Sequence, residues 1–236
     1  MSRRVGILGG TFDPIHTGHI DLGIVAQTLL TLTRVLVIPA RVPPHRPQPM
    51  ASSYHRFAMV ALAVANRRGW RASDLELETT DPRSYTTMTL QKLHGQGYAP
   101  SELFFIIGAD AFAEIETWRD YPTILDRSHF AVVSRPGCSV EDLPRLLPGL
   151  RRRLIRPPVG AIDERDPAII LIDERTADVS STAIRERRAA GESIGGMVDL
   201  GVEQHIEQHG LYIPIIPGRR DSDDSDTPAG RLHGES

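Results

Sequence analysis

Val5-Gly6-Ile7-Leu8-Gly9-Gly10-Thr11-Phe12-Asp13-Pro14-Ile15-His16-Thr17-Gly18-His19 stands almost at the start of the chain. Val5–Leu8 reads as a short buried strand, an apolar run that ends on two glycines. Ile20–Leu32 reads as the helix that follows. Strand, glycine-rich turn and helix make the opening of a βα unit. Gly9 and Gly10 let backbone approach a ligand closely and permit positive φ. Asp13-Pro14 imposes an extended turn. His16 and His19 flank Gly18 where the helix begins, and free N–H groups and the helix dipole there favour anions. Two imidazoles at that point are able to donate hydrogen bonds to phosphate oxygens. Taken alone, the stretch also fits a plain turn with two surface histidines.

The same rhythm continues down the chain. Arg34–Ile38, Leu75–Leu77, Leu103–Ile107, Phe130–Val133 and Ile169–Ile172 read as further strands. Tyr54–Arg68, Thr86–Gln96, Thr182–Ala190 and Val198–His209 read as helices. Alternation of this kind points to an α/β domain whose parallel sheet is covered on both faces. Ligands of such sheets bind beyond the carboxyl ends of the strands, which places the first turn at a natural nucleotide position. Pro39–Pro49 carries five prolines and excludes regular structure. Arg151–Pro167 mixes arginine, proline and acidic residues and reads as a surface excursion.

Composition narrows the function classes. The chain has 236 residues, with 27 basic and 30 acidic side chains and a net charge of −3. That balance gives no case for nucleic acid or an anionic membrane as partner. Cys138 is the one cysteine, so an intrachain disulfide and a cysteine-rich zinc site are both excluded. Lys92 is the one lysine, and no GxxxxGK phosphate loop exists. The N-terminus has no signal-peptide pattern, and the most apolar stretch is too polar to span a bilayer. A soluble cytoplasmic protein is the expectation. Pro217–Ser236 is almost devoid of large apolar side chains, and residues 214–236 read as a disordered tail behind a domain over 1–213. Deleting Pro217–Ser236 is expected to leave melting temperature and activity nearly unchanged, which thermal melts and turnover measurements check.

A second junction carries polar groups. Asp178-Val179-Ser180-Ser181-Thr182-Ala183-Ile184-Arg185 follows the Ile169–Ile172 strand. Ser180 and Ser181 are able to cap the next helix, and their hydroxyls with the first N–H groups offer a second anion cradle. Arg185, about one turn on, adds a permanent cation. A Ser-capped helix with a surface arginine is the plain alternative.

Together these stretches resemble the (H/T)xGH nucleotidyltransferase superfamily. GGTFDPIHTGH is similar to the first motif of bacterial nicotinate-mononucleotide adenylyltransferases, the NadD family, and VSSTAIR is similar to the superfamily's ISSTxIR. Pro43-Pro44-His45-Arg46 resembles that family's PPH loop, Ser84-Tyr85-Thr86 its SYT segment, and Arg135-Pro136-Gly137 its RPG segment. Gly108-Ala109-Asp110 and Trp118-Arg119 match its middle region. The resemblance runs from about residue 4 to Ile213 and does not reach the tail.

The resemblance implies a Rossmann-like, doubly wound parallel sheet and adenylyl transfer from ATP to nicotinate mononucleotide. Mg²⁺ would be carried by the ATP phosphates, with no protein metal site. The implied catalytic residues are His16, His19 and Arg185. Gly9, Gly10, Thr11, Phe12, Gly18, Gly108, Asp110, Arg135, Ser180, Ser181 and Thr182 would bind ATP with them, Asp110 on a ribose. His45 would contact phosphate, Tyr85 and Trp118 would stack on the pyridine ring, and Thr86 with backbone near Arg119 would meet the carboxylate. Nicotinamide mononucleotide or phosphopantetheine is the alternative acceptor. A non-catalytic nucleotide sensor and an RNA-binding synthetase-like protein are the other classes. The first lacks support because His16, His19 and Arg185 are all present, and the second because no basic appended domain exists. Monomer and homo-oligomer are both open.

Overall fold

The structure is a computed structural model that describes residues 3–42, 48–77, 84–158 and 167–214. The elements run β1 (Val5–Gly10), α1 (Thr17–Leu30), β2 (Arg34–Pro39), α2 (Ser53–Val64), β3 (Trp70–Ala72), α3 (Thr86–Gly95), β4 (Leu103–Gly108) and α4 (Ala109–Phe112). They continue with β5 (His129–Val133), α5 (Leu143–Leu146), β6 (Leu154–Ile155), β7 (Ile169–Ile172), α6 (Ser181–Ala189) and α7 (Leu200–Gln208).

One sheet of seven strands has the order β3-β2-β1-β4-β5-β7-β6, and every pairing is parallel. Val5 to Leu8 sit between Arg34 to Val37 on one side and Leu103 to Ile106 on the other. The chain builds outward from β1 through β2 and β3, then returns to build the other way from β4. The strand order therefore reverses between β1 and β4, which is where doubly wound sheets open a crevice for ligands.

Both faces are covered, as the continuous apolar strands require. Leu8, Val35, Val37, Phe104, Ile106, Ala131, Val133, Ile170 and Ile172 point into a core closed by α1, α2, α6 and α7. Val5, Ile7, Phe105, Ile107, Phe130, Val132 and Leu171 point into the other, under α3, α4 and α5. Successive residues of one strand thus alternate between two cores.

Three sequence expectations change. The third strand is Trp70–Ala72, paired with Val35–Val37, and Leu75–Leu77 is a turn closed by the Leu77 N–H on the Asp74 carbonyl. Glu76 in that turn is directed inward, where it accepts from the Thr89 hydroxyl at 2.5 Å and burial raises its pKa. The segment from Arg151 begins with a 3₁₀ turn, Pro148–Arg153, and contributes the edge strand β6 on β7; residues 159–166 lie outside the described ones. In α2 the buried face holds Arg56, Met59, Val60, Ala63 and Val64, so a charged residue occupies a position that hydrophobic periodicity skips. The expected tail lies, beyond Pro214, outside the described residues, as does His45. No helix among the described residues is long and apolar enough to cross a membrane.

Candidate active site

The motif begins within the sheet, since Gly9 and Gly10 are the last residues of β1. Neither takes positive φ; the left-handed residue is Phe12, at φ 52°. Its ring turns back under the strand, 1% exposed, and a Cβ on Gly10 would lie 2.9 Å from it. Gly10 is thus required by packing, whatever ligand approaches.

His16 forms the N-cap position of α1 but makes no side-chain cap bond. Its ring packs against that of His19 with centroids 3.7 Å apart and planes tilted by 34°, and Phe12 meets His19 edge-on at 5.0 Å. His16 is 3% exposed, and its Nδ1 has no hydrogen-bond partner among the described residues. Burial first, and the positive charge of Arg135 second, hold its pKa down at about 3. At neutral pH it is a neutral ring that supplies one N–H and one lone pair. Gly18 gives space to this ring and to the Ala177 carbonyl, which would lie 3.2 and 3.0 Å from a Cβ there.

The second motif is docked directly on the first. The Ser181 hydroxyl donates to the Pro14 carbonyl at 2.9 Å. Arg185 donates to the Asp13 carbonyl at 2.6 Å and to the Thr182 hydroxyl at 3.2 Å. The Ala177 N–H donates to Asp21 of α1 at 2.8 Å. Ser180 caps α6 by accepting the Ala183 N–H at 3.1 Å. Sequence spacing suggests that the serine hydroxyls face an anion. The structure uses the Ser181 hydroxyl as a clamp between the two loops, and leaves the N-termini of α1 and α6 side by side.

Gly108, Asp110 and Arg135 lie together beyond β4 and β5. The space beside Gly108 is filled by protein, because a Cβ there would meet the Arg135 side chain at 2.5 Å and also the Asp110 carboxylate. Asp110 is exposed at the start of α4 and available to hydroxyl groups.

A third group comes from α3 and the segment after α4. Tyr85 is the N-cap position of α3, and the Arg119 guanidinium lies over its ring at 4.7 Å. The Thr87 hydroxyl donates to Asp120 at 2.8 Å and ties the two segments. Trp118 is half-buried, edge-on to Phe105 at 6.1 Å, so it is partly a core aromatic. Ser84 fastens the start of the proline-rich loop, accepting the Arg41 N–H at 2.8 Å and donating its own N–H to the Val42 carbonyl at 2.9 Å.

Sequence reasoning missed the hub under the Gly9–His19 loop. Asp13 Oδ1 accepts from the Ala51 N–H at 3.0 Å and the Tyr212 hydroxyl at 2.8 Å, and Oδ2 from the Met50 N–H at 2.8 Å. Arg56, 1% exposed, donates to the carbonyls of Thr11, Ala40, Arg41 and Ala51 at 2.5–3.2 Å. Burial of the Tyr212 hydroxyl, then the Asp13 charge beside it, push its pKa up. The one local signal was an arginine among the apolar residues of α2.

The buried histidines set an acid limit on stability. His129, 1% exposed, is held at about 4 by burial, as His16 is at about 3. In the unfolded chain both titrate near 6.5. Below that value the unfolded state binds more protons, so stability is full above pH 6.5 and falls as pH drops toward 4. From pH 7 to 5 the two rings together are expected to remove about 2–4 kcal/mol. Urea midpoints at the two pH values and the histidine ring proton signals check this. A His16 signal titrating near 6.5 would overturn it.

Comparison with known proteins bears on the chain as a whole. A cytidylyltransferase-like family model matches residues 7–187. A protein of Roseiflexus castenholzii named "Probable nicotinate-nucleotide adenylyltransferase" is 41% identical over 214 residues, 89% of this chain and 98% of its own. The Salmonella typhi nicotinate-nucleotide adenylyltransferase is 38% identical over 213 residues, 90% of this chain and all of its own. Among solved structures, Plasmodium falciparum nicotinic acid mononucleotide adenylyltransferase complexed with NaAD superposes with a TM-score of 0.67. It is 18% identical, with 89% of this chain and 97% of that one covered.

Proposed function

We propose that this chain, which belongs to the cytidylyltransferase-like family and within it to the nicotinate-nucleotide adenylyltransferases, transfers the adenylyl group of ATP to nicotinate mononucleotide. The products are deamido-NAD and pyrophosphate, in the cytoplasmic synthesis of NAD. The observation that carries this is the clamp of α6 on α1. Ser181 on Pro14 and Arg185 on Asp13 set two helix N-termini and a packed histidine pair around one point at the β1/β4 crevice.

The mononucleotide phosphate is already an anion and needs no general base. Its oxygen attacks the α-phosphorus of ATP; the new P–O bond forms as the bond to the β-phosphate oxygen breaks, and pyrophosphate leaves. Catalysis is then alignment and charge neutralisation. His16 and His19 donate to the phosphate oxygens, Arg185 and the α6 N-terminus hold the leaving group, and Asp110 takes ribose hydroxyls. The neutral state of His16 keeps like charges from crowding Arg135 before ATP arrives. Mg²⁺ would be held by the ATP phosphates and would offset their charge. Asp13, the carboxylate within the loop, has both oxygens committed to protein donors and is no ligand for it. The catalytic domain is residues 1–213.

Selectivity is assigned to the start of α3. No side chain caps this helix, and its first-turn N–H groups with the Thr86 hydroxyl form donors suited to a carboxylate. An amide would turn its own N–H₂ toward them. Each unpaired buried donor costs about 1–3 kcal/mol, and two give roughly a hundredfold. Nicotinate mononucleotide is expected to exceed nicotinamide mononucleotide by at least about a hundredfold in kcat/KM. Thr86→Ala shrinks the ratio by hurting the acid, and Trp118→Ala weakens both substrates. Pyrophosphate release from ATP with both mononucleotides and with phosphopantetheine tests the proposal. Turnover of phosphopantetheine alone would overturn the acceptor; equal use of acid and amide would overturn only the pocket.

A further inference from the structure

Away from this crevice, three histidines meet where α7 packs on α2. His55 lies in the first turn of α2, whose N-cap Ser52 accepts the His55 N–H. His205 and His209 are four residues apart, so both fall on one side of α7 and its end. Their rings are 4.4 Å apart, and they stand 5.2 and 4.9 Å from the ring of His55. His55 Nδ1 and His205 Nε2 are 3.1 Å apart, and one candidate ligand nitrogen from each ring lies within 4.8 Å of the others.

We infer that His55, His205 and His209 form a binding site for a divalent transition-metal ion that staples α7 to α2. Imidazole suits zinc, nickel, copper and iron rather than Mg²⁺ or Ca²⁺. Zn–N bonds of about 2.0–2.1 Å in a tetrahedron set nitrogens about 3.4 Å apart. The one separation of 3.1 Å and the 4.8 Å limit on the others lie on either side of that distance, so small ring rotations complete the site. His55 and His205 are half-buried and His209 is exposed, which leaves a fourth position to water. The staple has a mechanical reach: four residues past the end of α7 comes Tyr212, whose hydroxyl holds Asp13 in the phosphate loop.

The test uses the full, untagged chain with Zn²⁺ and Ni²⁺ as probes. Calorimetric titration is expected to show one ion per chain. At a hundredfold excess over Kd the melting temperature rises by about 5–10 °C. His205→Gln and His209→Gln each weaken binding at least tenfold, and the double variant removes the thermal shift. His209→Gln changes an exposed helix end, so its fold is safe even where that of His205→Gln is not. Absence of binding overturns the site. So does binding that survives in the double variant, which would put the ion on other histidines.

Discussion

His19→Ala is expected to lower kcat/KM for pyrophosphate release by about a hundred- to a thousandfold, the scale set by losing one donor that meets developing charge. The ring of His19 stands in the first turn of α1, packed against His16 and edge-on to Phe12. It is half-buried, so truncation costs about 1 kcal/mol of packing and about 2–4 °C of melting temperature. The separation of these two readouts is the point. A purely packing role would move the melting temperature and leave turnover alone. His19→Asn keeps a donor near the same place and is expected to recover part of the rate. Unchanged kinetics in a folded His19→Ala protein would sink the assignment of the phosphate site.

Arg56→Met is expected to destabilise the fold by about 3–5 kcal/mol, because it leaves four buried carbonyls short of a donor at about 1 kcal/mol or more each. For a domain of this size that is a fall of about 6–20 °C in melting temperature. The guanidinium satisfies four carbonyls from three separate segments, at Thr11, Ala40, Arg41 and Ala51. Methionine fills the volume and satisfies none of them. Arg56→Lys keeps the charge, but an ammonium cannot span that fork, so an intermediate loss is expected. Since Thr11 belongs to the phosphate loop, turnover should fall along with stability. Thermal melts of the two variants decide it, and a loss below about 1 kcal/mol in Arg56→Met would mean that water replaces the guanidinium.

The two predictions differ in how visible they were from sequence. His19 sits in a continuous string, and parallel strands buried on both faces leave bare apolar runs such as Leu103–Ile107. Those features are local, so the sheet and the turn that follows its first strand were legible. Arg56 was not, because its partners lie 5 to 45 residues away and only folding brings them around it. The edge strand Trp70–Ala72 escaped for another reason. Three residues with an arginine in the middle carry too little pattern, and Leu75–Leu77 offered a more apolar decoy. Arg135 was read for its own segment, not as the charge that acts on His16. The histidine cluster joins positions 150 residues apart and had no local trace on α2.

The bond between Tyr212 and Asp13 joins residues 199 positions apart in the chain. In synthesis Asp13 precedes Tyr212 by those 199 residues. A growing chain thus holds its strands and its histidine pair long before it holds the hydroxyl that completes the seat of the phosphate loop. Fragments released early would carry the motif with an Asp13 oxygen short of a donor. The seat of that loop is therefore closed only by residues that follow α7, so the first turn of the sheet depends on the far end of the domain for its full set of bonds.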